Sequence, residues 1–282
     1  MLVFTKVSDL QQWLAAQRQS GKTVGFAPTM GALHTGHLSL VQAAKSECDM
    51  AVASIFVNPS QFNDPKDLEK YPRMPEQDIA LLTGAGCDAL FMPPVAEVYP
   101  PGRDLSVTLD FRQLDQVMEG KFRPGHFAGM ATVVKRLLDI VQPDRLYMGQ
   151  KDFQQLTIVR DMLRQLKSPV ELVMCPTARE PDGLAMSSRN LRLSPQMRAA
   201  APAIYQILLA AKTAFEHEPA DTVQKRAMEQ LLVAGFRPEY FDLVDGYSLL
   251  PVTHRSGSDF IVACVAVWAG DVRLIDNLVL KP

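Results

Sequence analysis

The sequence predicts an α/β protein: a doubly wound, Rossmann-like parallel sheet followed by a smaller C-terminal α+β domain. Three observations carry that expectation. Over the first two-thirds of the 282 residues, continuous apolar runs alternate with stretches of helical period, the pattern of parallel strands covered by helices on both faces. After about Pro176 the order changes to two helices and then three strands, the last two joined at the hairpin-turn pair Gly270-Asp271. Between the first clear strand and its helix stands PTMGALHTGH, a glycine-bearing turn where doubly wound sheets hold phosphate. The expected division is 1–176 and 177–282.

The elements follow in order. TVGFAPT (Thr23–Thr29) reads as a strand and HLSLVQAAKSE as a helix; AVASIFVNP (Ala51–Pro59) reads as a strand and EQDIALLTGAG as a helix ending at glycine. DALFMPP is a strand. In GMATVVKRLLDIVQP the residues Met130, Val133, Val134, Leu137, Leu138 and Val141 recur at helical spacing, and Pro143 stops the run. DRLYMGQ is a strand, DFQQLTIVRDMLRQL a helix and VELVMCP a strand. Beyond the break come the helices SPQMRAAAPAIYQILLAAKTAF and TVQKRAMEQLLVAG, then the strands YFDLVD, DFIVACVAVWAG and VRLIDNLVL. There are no repeats or low-complexity tracts.

Composition narrows the function classes. At 47% hydrophobic and 21% charged the chain is an ordinary globular protein, and its net charge of -2 supplies no basic field for nucleic acid. No apolar run has membrane length, and MLVFTKVSDLQQWL lacks a signal-peptide pattern. Cys48, Cys87, Cys175 and Cys264 are scattered, which fits free thiols in a reducing cytoplasm rather than a zinc site or a disulfide framework.

Three stretches carry chemistry. In PTMGALHTGH, glycine lets a backbone approach a phosphate, and the following helix offers free N–H groups. His34 and His37 can face one ligand, and a histidine there can donate a hydrogen bond to a transferring phosphate. The plainer alternative is a pair of turn histidines capping the helix. A metal reading is weaker, because no third ligand stands at zinc spacing. In MGQKDFQQL, Lys151 suits a phosphate as a point charge, while Asp152 taken alone reads as a helix N-cap. In AMSSRNLRLS, two hydroxyls and a guanidinium suit an anion loop, and the alternative is an exposed polar loop.

Together the histidine pair and the Ser/Arg loop resemble the HxGH and KMSKS-type signatures of nucleotidyltransferases, which activate the α-phosphate of ATP. PTMGALHTGH, SIFVNPSQF, YPR, EGKFRPGHFAG, KDFQQL and DGLAMSSRN moreover occur in the order expected of the pantoate–β-alanine ligase family, over nearly the full length. The resemblance implies an amide-forming ligase that cleaves ATP to AMP and pyrophosphate with magnesium, through a pantoyl adenylate. It places Met30, Gly31, Ala32, Leu33, His34, Thr35, Gly36 and His37 around ATP, with His37 the family's proposed proton donor in phosphoryl transfer. It gives Gly149, Gln150, Lys151 and Asp152 to the ATP site, Lys151 for the phosphates and Asp152 for the ribose. Met186, Ser187, Ser188 and Arg189 are expected to hold the triphosphate, and the backbone near Ala178 to border adenine. His37, His34, Lys151 and Arg189 form the expected catalytic set. Gln61 and Gln155 match pantoate-binding amides, Gln61 also touching β-alanine, although either alone could be a surface amide. Asn58, Arg123 and His126 fall in motifs near the substrates; the metal ligands stay unassigned. The family more often reads GEKD where this chain has GQKD. A cytoplasmic homodimer is expected, with 177–282 as a lid hinged around Cys175–Pro181. Two other classes compete: a nucleotidyltransferase acting on a phosphorylated alcohol, and an inactive nucleotide sensor.

Overall fold

The computed structural model describes residues 1–61, 68–69, 71–102 and 107–282; Phe62, the last residue of SIFVNPSQF, lies outside them. A six-stranded sheet is formed by β1 (Leu2–Phe4), β2 (Val24–Thr29), β3 (Met50–Ile55), β4 (Ala89–Phe91), β5 (Arg145–Gly149) and β6 (Glu171–Cys175). Its spatial order is β1-β4-β3-β2-β5-β6, and every strand pair is parallel. The connections run outward from β2 through β3 to β4 on one side, and through β5 to β6 on the other. The order therefore reverses between β2 and β5, the switch point beside which such sheets bind ligands.

Helices cover both faces. On one lie α1 (Val7–Gln19), α6 (His126–Val141) and α7 (Phe153–Gln165), in a core with Phe26, Val52 and Phe91. On the other lie α2 (Thr35–Glu47) and α3 (Pro75–Gly84), packed on Ala27, Ala51, Ala53 and Leu90. All six apolar residues spaced along α6 are buried. The short helices α4 (Val95–Val98) and α5 (Glu119–Phe122) lie between β4 and α6.

After β6 come α8 (Pro195–Ala200), α9 (Ala203–Ala214) and α10 (Ala220–Val233), then the antiparallel sheet β7 (Arg237–Asp245), β8 (Ile261–Ala269) and β9 (Val272–Lys281). The expected single helix over 194–215 is two, because Pro202 has no N–H to continue the ladder. The hairpin closes with Ala269 opposite Val272 around Gly270, whose φ is +62°. β7 runs further toward its N-terminus than YFDLVD and accommodates Pro238 because it is an edge strand with a register shift there. β1 and α1 are elements that the sequence reading did not assign.

The two sheets are joined as well as adjacent. Val244, Leu249, Val262 and Cys264 belong to the same buried cluster as Phe153 and Leu156. Arg273 of β9 makes a bidentate ion pair with Glu119, at 2.7 Å for each bond, and Tyr240 donates to the same carboxylate at 2.8 Å.

Candidate active site

The loops after β2, β5 and β6 open at the carboxyl end of the sheet, beside the switch point. The first is held from below. Gly31 (φ +83°) and Ala32 (φ +50°) both lie in the left-handed region. This curl points the N–H groups of Ala32 and Leu33 at the carboxylate of Asp78, at 3.0 and 2.8 Å. Asp78 is 2% exposed and sits in the first turn of α3, where the helix dipole favours negative charge. A side chain on Gly31 would stand 3.0 Å from that carboxylate.

At the start of α2 the two histidines cap the helix and also face the cavity. Gly36 N–H donates to His34 Nδ1 at 3.2 Å, and His34 N–H donates to His37 Nδ1 at 3.3 Å. Both Nδ1 atoms are acceptors, so each neutral ring carries its proton on Nε2. The ring centroids are 4.0 Å apart. Gly36 makes room for this, since a Cβ there would lie 3.0 Å from the His34 ring. Burial, then the neighbouring His34, hold the His37 pKa down at about 3. Burial, then Lys151, lower that of His34. Helix capping and cavity lining therefore coincide in the same residues.

A cavity of ≈ 260 Å³ is lined by Met30, His34, Gly36, His37, Asn58, Gln61, Arg123 and His126, and by Gly149, Lys151, Asp152 and Gln155. Ala178, Met186, Ser187, Ser188 and Arg189 line it from beyond β6. Gly31, Ala32, Leu33, Thr35 and Gln150 do not. The first three shape the turn, Thr35 Oγ1 donates to Met186 Sδ at 2.6 Å, and Gln150 Nε2 donates to Asn277 at 3.0 Å. Asp152 occupies the N-cap position of α7 without a side-chain cap bond, leaving its carboxylate to the cavity. Among the described residues, the side chains of Arg123, Lys151 and Arg189 have neither a hydrogen-bond nor an ion-pair partner. Burial, first of all, lowers the Arg123 pKa from its ordinary value, yet an arginine stays charged throughout the physiological range.

Asn58 lines the cavity, but its amide holds the chain turn. Its Oδ1 accepts from Ser60 N–H at 3.3 Å and from Tyr99 OH at 3.0 Å, and its Nδ2 donates to Gly129 O at 3.3 Å. His126 Nδ1 lies 2.9 Å from Gln61 O and must donate to it, so its Nε2 is an acceptor. Burial, then Arg123, bring the His126 pKa to about 4. The sequence reading missed Asp78, the apolar wall of Met130, Val133, Val134 and Leu137, and Thr177, whose buried hydroxyl has no partner among the described residues. The wall was legible as helical spacing but was assigned to the core alone.

A second chamber of ≈ 460 Å³ shares Arg123, His126, Lys151, Asp152, Gln155 and Arg189 with the first. It runs between α5, α7 and the antiparallel sheet.

A doubly wound sheet with an HxGH turn at its switch point, an adjacent Lys-Asp loop and a Ser-Ser-Arg loop across the cleft defines an HxGH-type nucleotidyltransferase-like enzyme. Comparison with known proteins narrows that class. The family model described as pantoate-beta-alanine ligase matches residues 2–279. A pantothenate synthetase of Porphyromonas gingivalis is 49% identical over 279 residues, covering 99% of each chain. The crystal structure of pantothenate synthetase from Thermus thermophilus superposes with a TM-score of 0.92 at 44% identity and covers 100% of both chains. That of pantoate-beta-alanine ligase from Francisella tularensis, complexed with beta-gamma ATP and beta-alanine, gives 0.81 at 34% identity, covering 99% and 98%. The chain belongs to the pantoate–β-alanine ligase family, and it is an enzyme that joins pantoate to β-alanine to form pantothenate.

Proposed function

We propose that the reaction runs through pantoyl adenylate formed in the cavity at the switch point. A carboxylate is a poor acylating agent, so the pantoate oxygen first attacks the α-phosphorus of ATP and pyrophosphate leaves. The β-alanine amine then attacks the acyl carbon and AMP leaves. The observation that carries this reading is the meeting of three cations without a partner among the described residues, Lys151, Arg123 and Arg189, with two neutral imidazoles in one cavity. Such preorganised donors stabilise charge that grows on a phosphoryl group.

His37 acts here as a hydrogen-bond donor through Nε2–H. With its pKa held at about 3, the free enzyme has no imidazolium to offer at neutral pH, so donating the bond replaces giving up the proton. His34 lies against the nucleotide, Asp152 takes the ribose hydroxyls, and Ser187, Ser188 and Arg189 take the triphosphate. The Thr177–Ala178 segment borders adenine. Gln61 and Gln155 hold pantoate, their amides matching its hydroxyls and carboxylate, with Arg123 and His126 beside the substrates. A nucleotidyltransferase releasing only pyrophosphate would not need that amide pair.

Magnesium enters with ATP. No group of three His, Cys, Asp or Glu is arranged to hold a metal among the described residues, and Asp152 is the only carboxylate lining the nucleotide cavity among them. This donor set fits an ion held chiefly by phosphate oxygens and water, with Asp152 available to its water shell. The ion would neutralise phosphate charge.

The chain works as a homodimer in the cytoplasm. Moving all of 177–282 about Cys175–Pro181 would break the Arg273–Glu119 pair and the bonds of Asn277 to the Gln150–Lys151 turn, so the closure that keeps water from the adenylate is given to the Ser187–Arg189 loop alone. Cytoplasmic placement is supported by the four free cysteines, which suit a reducing compartment. Light scattering giving a single 31.2 kDa species would remove the dimer. The reaction is tested by product analysis with each substrate left out in turn. AMP, pyrophosphate and pantothenate in equal amounts are expected; ADP would mean attack at the γ-phosphate and end the proposal.

A further inference from the structure

Two adjacent polar residues interrupt the apolar strand β9, and both are buried: Asp276 is 5% exposed and Asn277 is 2% exposed. Burying such groups is costly unless they are bonded, and here their polar atoms have partners. Asn277 Nδ2 donates to the carbonyls of Gln150 and Lys151, at 2.9 Å each, and its Oδ1 accepts from Gln150 Nε2 at 3.0 Å. Asp276 holds Arg179 through two bonds of 2.6 and 3.0 Å, and Arg179 also donates to Asn277 O at 3.3 Å. Arg179 is the neighbour of Ala178 and pairs with Ala185, next to Met186. One dipeptide therefore grips the turn that presents Lys151 and the segment that leads to Ser187–Arg189.

We propose that Asn277 is a positioning residue for adenylation: its side-chain amide fixes the Gln150–Lys151 turn so that Lys151 meets the α-phosphate, while Asp276 fixes the facing loop at a set spacing. The proposal rests on the reading that Lys151 acts on ATP. Its physical basis is that the Lys151 side chain has no hydrogen-bond or ion-pair partner among the described residues, so the turn that carries it sets where the ammonium starts. That backbone has two carbonyls held by a single buried amide. Asn277→Asp keeps the shape but turns a carboxylate toward both carbonyls, replacing donation by repulsion, and so shifts the turn.

The test separates the half-reactions in single turnover: pyrophosphate release with ATP and pantoate, and aminolysis of the bound adenylate after β-alanine is added. Asn277→Asp should slow the first by about 10²-fold, the scale of a misplacement of about 1 Å. The second should stay within about threefold, because Lys151 is placed on the phosphates rather than on the acyl carbon. In a Lys151→Ala background the same substitution should add less than about threefold, since a group already removed cannot be misplaced again. A merely structural asparagine would cost the same factor in both backgrounds and in both half-reactions, and that result overturns the proposal. Should Asn277→Asp not fold, Gln150→Ala removes one bond of the same set, and about a tenfold loss confined to the first half-reaction is expected. If that loss is absent, or persists in the Lys151→Ala background, the proposal falls. Wild-type adenylation by Lys151→Ala alone is a distinct outcome: it removes the role given to Lys151, and this inference with it.

Discussion

Replacing Asp78 with alanine tests whether the histidine turn is built from beneath. The carboxylate accepts the N–H groups of Ala32 and Leu33 at 3.0 and 2.8 Å and is 2% exposed. Bonds to a charged group contribute about 1.5–3 kcal/mol each, so two set an upper range of about 3–6 kcal/mol. The two share one carboxylate and are not independent, which brings the expected loss to about 3–4 kcal/mol. Asp78→Asn keeps one acceptor but faces the other N–H with an amide donor, and about 2 kcal/mol is expected. Neither substitution touches the cavity, yet Ala32 and Leu33 directly precede His34. Adenylation should therefore fall along with stability, and the ATP KM should rise. The assay is equilibrium urea unfolding alongside single-turnover pyrophosphate release. An alanine variant within about 0.5 kcal/mol of wild type, the range of an ordinary surface change, would refute the reasoning.

Three further outcomes are expected. Unfolded histidine binds its proton near pH 6.5, whereas His37 and His126 stay neutral in the fold down to about 3 and about 4. Their contribution is thus complete above pH 6.5 and is lost as pH falls, at about 1.4 kcal/mol per pH unit for each; between pH 6 and 5, His37→Asn should flatten the slope in urea titrations, and an unchanged slope counts against the assignment. Lys151→Ala and His37→Ala should lower turnover by about 2.7–4 kcal/mol of transition-state stabilisation each, far more than they lower folding stability, and near-wild-type turnover removes that residue from the mechanism. Arg189→Ala should loosen the closing Ser187–Arg189 loop, slowing adenylation and shortening the adenylate lifetime in a single turnover without β-alanine; equal lifetimes in both proteins would sink the closure.

What the sequence made legible was whatever its local pattern repeats. The parallel strands announced themselves as apolar runs because helices cover both faces. α6 announced itself because its six spaced apolar residues are all buried. β1 escaped because it is three residues long, with Leu2 51% and Val3 43% exposed, so no run or alternation marks it. The helix expected over 194–215 ignored what Pro202 does to a hydrogen-bond ladder. In the site, the loops carrying His37, Lys151 and Arg189 were legible as ordered motifs. Their supports were not: Asp78 reaches a loop 45 residues away and Asn277 one 127 residues away. Such pairings have no period. The one local hint was the Asp-Asn pair inside VRLIDNLVL, where two polar residues in a buried strand must have found partners. Asn58 combines the two: it lines the cavity, as its motif suggested, while its amide bonds Gly129 and the Gln61 side chain and so holds the turn.

The charges explain why the site is divided between two parts of the chain. Glu119 and Glu239 neutralise Arg273, and Asp276 neutralises Arg179. These half-buried cations already have partners and serve as fasteners. Lys151, Arg123 and Arg189 have no such partner among the described residues, and they repel one another in a cleft where water screens incompletely. The two loops that carry Lys151 and Arg189 already line one cavity, so an anion bound there meets charges from both. A triphosphate supplies the missing negative charge, and whatever binds the folded, assembled form preferentially stabilises it. With Lys151 on the loop after β5 and Arg189 beyond β6, one nucleotide must touch both loops to collect that stabilisation. Because the histidines are neutral, their hydrogen bonds add to this attraction without adding a fourth or fifth repelling charge. On the proposed reading, ATP serves both as the source of the adenylate and as the counter-ion shared by the two loops.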